Sequence, residues 1–187
     1  VGILVLALSL LLFGKTIFQS YQVSRLLNFA NPCQRYTEDS GYQVCNGYIA
    51  IHNGGLFGVG LGNSKQKITH LPMSDTDYIF SIICEEFGFI GAILVIGLYV
   101  AFAYFGIKIA MEATDSFGAY LAVGVTSLIV LQAFINMGVA TNVLPSTGIT
   151  LPFISRGATS LGIVLCATGI LLSVSARKRR KPKQSND

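Results

Sequence analysis

Between Phe87 and Ile107 the chain runs for 21 residues without a charged side chain, and a second such run of 20 residues extends from Gly157 to Ala176. As helices, these runs reach about 30 Å at 1.5 Å per residue, the thickness of a bilayer's hydrocarbon core. Lipid offers backbone amides no partners, so each run must bond within itself as a helix. A third span lies inside the uncharged tract 117–155, best placed at 117–141, before Asn142 and Pro145 interrupt it. The opening apolar run, Val1 to Phe13, reaches only about 20 Å; we read it as the end of a span that starts upstream. Charged residues make up 12% of the chain and apolar residues 52%. Soluble domains carry about 25% charged residues, so a cytosolic domain, a disordered tail and a nucleic-acid module are excluded.

Orientation follows from Arg177-Lys178-Arg179-Arg180-Lys181-Pro182-Lys183, which holds six of the 13 basic residues directly after the last span. Such a cluster marks the cytoplasmic side. Counting back gives an expected map. Residues 1–14 are a truncated span, 15–77 a large extracellular loop and 78–107 a span. Residues 108–116 form a cytoplasmic loop, 117–141 a span, 142–156 an extracellular loop, 157–176 a span and 177–187 a cytoplasmic tail. The expected fold class is an all-α polytopic membrane protein, a helical bundle whose long extracellular loop carries short interfacial or re-entrant helices. Within that loop Cys33 and Cys45 are free to pair in an oxidising compartment. No Cys/His ligand spacing suggests structural zinc.

Acids carry the most information in a chain this apolar. Extending the second span back through Tyr78 aligns Asp77, Ser81, Cys84, Glu85 and Gly88 on one helical face, a polar and small seam on a greasy helix. A carboxylate in lipid costs several kcal/mol, so the seam should face protein or a water-filled cavity. Asp77 sits at the water boundary, about 12 Å shallower than Glu85. Glu86 points about 100° away and reads as interfacial. Gln132 and Asn136 form an i, i+4 amide pair, the usual device for tying helices together. Ser155 and Arg156 open the last span; Arg156 is the only cation between Lys108 and the tail, suited to an acid, to a phosphate or to snorkelling at the interface.

Residues 54–62 contain five glycines in nine, which implies tight backbone and close approach to a ligand, without the GxGxxG pattern of a nucleotide site. Just before them Tyr42, Cys45, Ile49 and His52 recur at helical spacing, an amphipathic segment that lies on or dips into the membrane.

Three blocks in order resemble the C-terminal half of the SEDS family (shape, elongation, division and sporulation; FtsW/RodA/SpoVE). They are Gly54 to Gly62, then Leu71-Pro72-Met73-Ser74-Asp75-Thr76-Asp77-Tyr78 running into Glu85-Glu86-Phe87-Gly88, then Asn136 to Pro145 with Leu151-Pro152-Phe153-Ile154-Ser155. The likeness is closest to the FtsW-type, cell-division branch. It implies a peptidoglycan glycosyltransferase that polymerises lipid II at the outer face of the bacterial cytoplasmic membrane. It also implies a class B penicillin-binding transpeptidase and other division proteins as partners, and no nucleic acid. The acid the family treats as catalytic falls on Asp77; Asp75, Glu85, Arg156, Asn136 and Ser155 are candidate substrate contacts. Met73 stands where the family commonly has Glu, Asp75 where it commonly has His, and Arg156-Gly157-Ala158-Thr159-Ser160 replaces Tyr-Gly-Gly-Ser-Ser. Asp75 beside Asp77 favours a bound divalent cation, the one cofactor considered, or a raised pKa. The rival readings are a lipid II flippase, which should depend on the deep Glu85, and a division-site scaffold, which should tolerate loss of either acid.

Overall fold

A computed structural model describes Cys33 and residues 39–64 and 77–177. The opening run expected as the end of a span (1–14), Met73, Asp75 and residues 178–187 of the basic tail lie outside the described residues. Among those described the structure is all helical: α1 (Asp39–Gly54), α2 (Ile79–Met111), α3 (Ser116–Ala140) and α4 (Ala158–Ala176). The last three are long and apolar enough to cross a membrane, and only 22%, 28% and 11% of their apolar windows are buried. Their apolar side chains therefore point outward, the arrangement of a membrane protein rather than of a soluble bundle.

The spans α2, α3 and α4 run up, down and up. At one end Asp115 caps α3, its carboxylate accepting from Gly118 N at 3.1 Å, and Thr114 Oγ1 donates to Arg177 O at 3.1 Å. Small residues let the helices approach there: Ala110, Ala122 and Leu171 pack together, and a Cβ on Gly106 would lie 2.2 Å from Thr126 Oγ1. At the other end Phe80, Cys84, Ala92, Val95, Tyr99, Ala133, Met137, Ala140 and Leu151 form the larger core. That core seats the loop after α3 through Leu151, and so positions the Asp77 end of the bundle.

α3 stops where Asn142 takes a left-handed conformation (φ 52°), with Asn142 N donating to Val139 O and Val143 N to Gly138 O. This pair of bonds satisfies the last carbonyls of the helix. α1 lies against α2, tied to Cys33 by the Cys33–Cys45 disulfide. Of the expected amphipathic stripe, Cys45 is buried and Tyr42 half-buried. Ile49 is 38% exposed and His52 is exposed, whereas Val44, Gly47, Ala50 and Gly54 are buried. A Cβ on Gly47 would lie 3.2 Å from Ser81 Oγ, so small residues set the close contact with α2.

Candidate functional site

α2 is continuous in sequence but broken at Gly88, whose φ of 68° and ψ of −159° leave the helical region. A break exposes backbone groups on both sides, and in a membrane each needs a partner. The glycine-rich loop supplies four. Val59 N donates to Glu85 O at 2.9 Å and Gly60 N to Glu86 O at 3.0 Å, while Phe89 N donates to Gly55 O at 2.9 Å and Ile90 N to Leu56 O at 3.4 Å. Glycine is required because backbone meets backbone. A Cβ on Gly54 would sit 1.9 Å from Cys84 O, and one on Gly58 2.1 Å from Glu86 O. The close approach expected of this loop is thus to α2.

The same clasp takes up both glutamates. Ser64 Oγ donates to Glu85 Oε2, and Gly62 N donates to Glu86 Oε1 at 3.3 Å. Glu85 is 1% exposed and Ser81 fully buried, so the seam below Asp77 faces α1 and the loop. Of the two surroundings open to it, protein or a water-filled cavity, it has protein. Beyond the break, 89–111 still spans about 34 Å.

Asp77 has different surroundings. It is half-buried at the entrance to α2, where its backbone carbonyl precedes the helical ladder. Asn136 Nδ2, from the far end of α3, donates to Asp77 O at 2.9 Å and to Ile149 O at 2.6 Å. Four residues back, Gln132 Nε2 donates to Thr150 O at 3.1 Å, and Thr150 Oγ1 pairs with Ser160 Oγ of α4 at 2.7 Å. The loop so held brings Gly148, at φ 72°, beside the carboxylate: a Cβ there would be 3.6 Å from Asp77 Oδ2. Gly148 also lines a groove of about 750 Å³ that runs along α3 past Gly124, Ser127, Leu128 and Gln132.

The segment Leu151-Pro152-Phe153-Ile154-Ser155 is a built turn. Leu151 N donates to Ser155 Oγ at 2.7 Å, Ser155 N donates back to Leu151 O at 3.0 Å, and Tyr99 OH donates to Pro152 O. Phe153 is held at φ 66°, a costly conformation for an aromatic residue, with its ring 5.9 Å from that of Phe102. Arg156 follows, exposed, just before α4.

Of the residues nominated from sequence, the structure brings Asp77 and Asn136 together, with Ser155 and Arg156 on the same loop system. Glu85 lies two turns away inside the clasp, and Asp75 is outside the described residues. Asn136 Nδ2 and Ser155 Oγ engage backbone groups. Among the described residues no three His, Cys, Asp or Glu side chains group to hold a metal. Sequence reasoning missed Gly148 and Tyr99. The signals were a glycine between Pro145 and Pro152 and a hydroxyl within an apolar run.

The FtsW/RodA/SpoVE family model, described as a cell cycle protein, matches residues 1–180. A probable peptidoglycan glycosyltransferase FtsW of Geobacter sp. (strain M18) is 44% identical over 161 residues, which cover 86% of this chain and 44% of that protein. Stage V sporulation protein E of Bacillus subtilis (strain 168) is 44% identical over 166 residues, covering 89% of this chain and 45% of its own length. The chain thus spans a little under half the length of these relatives. Among solved structures, a peptidoglycan synthase complex that coordinates polymerization and crosslinking aligns with a TM-score of 0.67 at 26% identity, covering 96% of this chain and 49% of its own. The rod shape determining protein RodA of Thermus thermophilus aligns with a TM-score of 0.57 at 28% identity, covering 72% of this chain and 41% of its own.

Proposed function

This chain belongs to the FtsW/RodA/SpoVE family, and on that premise we propose that it carries the catalytic base of a peptidoglycan glycosyltransferase that polymerises lipid II during cell division. The observation that carries the reading is Asp77. The residue is half-buried with its carboxylate beside Gly148, which lines the groove along α3, and its backbone is held from α3. Asp77 takes the proton of the acceptor sugar hydroxyl. The freed oxygen forms a bond to the anomeric carbon of the growing strand, and the bond to undecaprenyl pyrophosphate breaks, the pyrophosphate taking the electron pair.

A well-placed base contributes about 10²- to 10⁴-fold. Positioning and stabilisation of charge on the leaving pyrophosphate supply the rest. Arg156 is the proposed cation for that charge. A divalent cation on Asp75 and Asp77 would supply the same stabilisation.

The proposed site is the cytoplasmic membrane of a bacterium, with the basic tail inside and Asp77 outside. A class B penicillin-binding transpeptidase is the proposed partner, supported by the likeness to a synthase complex. The flippase reading is not favoured, because Glu85, the acid it needs mobile, is buried under Ser64 and the glycine loop.

The test is polymerisation of purified lipid II by the full-length protein with its transpeptidase, wild type against Asp77→Asn. The expected result is loss of glycan strands with folding and partner binding intact. Polymerisation at the wild-type rate overturns the reading.

A further inference from the structure

We propose that Asn136 is a positioning residue that sets the direction of the Asp77 carboxylate and holds Gly148 against it. The inference rests on the reading of Asp77 as the base. It concerns one amide with two fixed tasks. The Asp77 carbonyl lies before the first turn of α2 and outside its hydrogen-bond ladder, so helix formation alone does not orient that peptide. Asn136 Nδ2 orients it, donating to Asp77 O at 2.9 Å, and with its other hydrogen holds Ile149 O at 2.6 Å.

Both neighbours are acceptors only, so the amide must present its NH2 to them and cannot flip. A carboxylate or a hydroxyl of the same reach could not serve both. Asn136 is 1% exposed, and its Oδ1 is buried without a hydrogen-bond partner. An amide oxygen left so costs stability, and the side chain pointing this way places both donors on the residues that flank the carboxylate. Gln132, one turn away on the same face, holds Thr150 but does not touch Asp77. The pair therefore separates two effects, anchoring the loop (both amides) and aiming Asp77 (Asn136 alone).

The experiment is lipid II polymerisation by the full-length protein with its transpeptidase, with kcat and KM resolved, for wild type, Asp77→Asn, Asn136→Ala and Gln132→Ala. Misplacing a reacting group by about 1 Å can cost about 10²-fold. For Asn136→Ala the expected result is a fall in kcat of about 10- to 100-fold with KM unchanged, and for Gln132→Ala a much smaller fall. A rise in KM at constant kcat makes Asn136 a substrate contact and overturns the proposal. So does an unchanged kcat, or an equal loss from Gln132→Ala. If Asn136→Ala does not accumulate, the same split is read on Asn136→Gln, which keeps both amide hydrogens on a longer arm. There a loss in kcat alone supports the proposal, and wild-type kcat or a loss confined to KM overturns it. The Asp77→Asn arm keeps the two readings apart: if it polymerises normally the base assignment itself has failed, whereas its inactivity beside a fully active Asn136→Ala sinks only this inference.

Discussion

Asp77, placed just before the first turn of α2 rather than on the helix as the seam predicted, and Glu85, inside that helix, are treated by the protein in opposite ways. Around Glu85 the partners come from within the chain: Ser64 on the carboxylate, Val59 on the carbonyl, glycines filling the gap that Gly88 opens. Around Asp77, a half-buried residue, the chain holds the backbone from α3 and sets a glycine beside the carboxylate. One end of the seam is built to be still. The other is where the proposed base stands. A carboxylate on a membrane helix is thus not a functional group by type alone; what the neighbouring backbone does with it decides.

The largest way to break the comparison is Gly58→Ala. A Cβ at Gly58 would lie 2.1 Å from Glu86 O, and the residue holds φ at 78°. The clash is backbone against backbone and cannot be relieved by a rotamer. The loop should leave the break, stranding the carbonyls of Glu85 and Glu86. We expect a loss of about 4 kcal/mol or more, read as failure to accumulate in membranes or as collapse of the melting temperature in detergent. Wild-type stability would mean that the clasp does not hold the break.

Next is Glu85→Gln, which keeps shape and removes charge. The variant should lose about 1–2 kcal/mol of stability through the weakened bond from Ser64. Polymerisation per folded molecule should stay within a few-fold of wild type. A folded Glu85→Gln protein without turnover would erase the contrast with Asp77 and restore the transport reading.

The spans were legible because uncharged runs of bilayer length have one outcome in lipid, and the breaks at Asn142 and Pro145 sit where α3 ends. α2 extends to Met111, past the expected limit at Ile107, since Lys108 can occupy the last turn of a helix at the interface. The seam was legible as a face but not its occupant. Nothing in a run of glycines says whether it approaches a ligand or another stretch of backbone. The break at Gly88 was hidden for the same reason, since its partners come from residues about thirty positions earlier. Asn136 was visible as a helix-tying amide; that one of the things it ties is the Asp77 carbonyl depends on a contact 59 residues away.

Ser155→Ala sharpens the comparison on the loop side. Ser155 Oγ accepts from the buried Leu151 N, so the variant orphans a backbone donor and should cost about 1–3 kcal/mol. Its KM for lipid II should not change. An increase in KM at unchanged stability would make Ser155 a substrate contact and enlarge the reactive end of the seam.

The smallest effect expected is also the most specific. Gly55 holds φ at 52°, yet nothing lies within 4 Å of where its Cβ would be. Its carbonyl receives Phe89 N across the break, as the loop's other contacts do, so by position it belongs to the clasp. By space it does not, and only the left-handed backbone makes glycine preferable there. Asparagine tolerates that conformation better than other residues with a side chain. Gly55→Asn should therefore cost about 1 kcal/mol or less, a small shift in melting temperature with polymerisation intact. The contrast with Gly58→Ala, a few residues away in the same loop, separates conformational demand from steric demand. If Gly55→Asn were as damaging as Gly58→Ala, the loop would be failing through its backbone conformation as a whole, and close approach to α2 would no longer explain why the glycines cluster there.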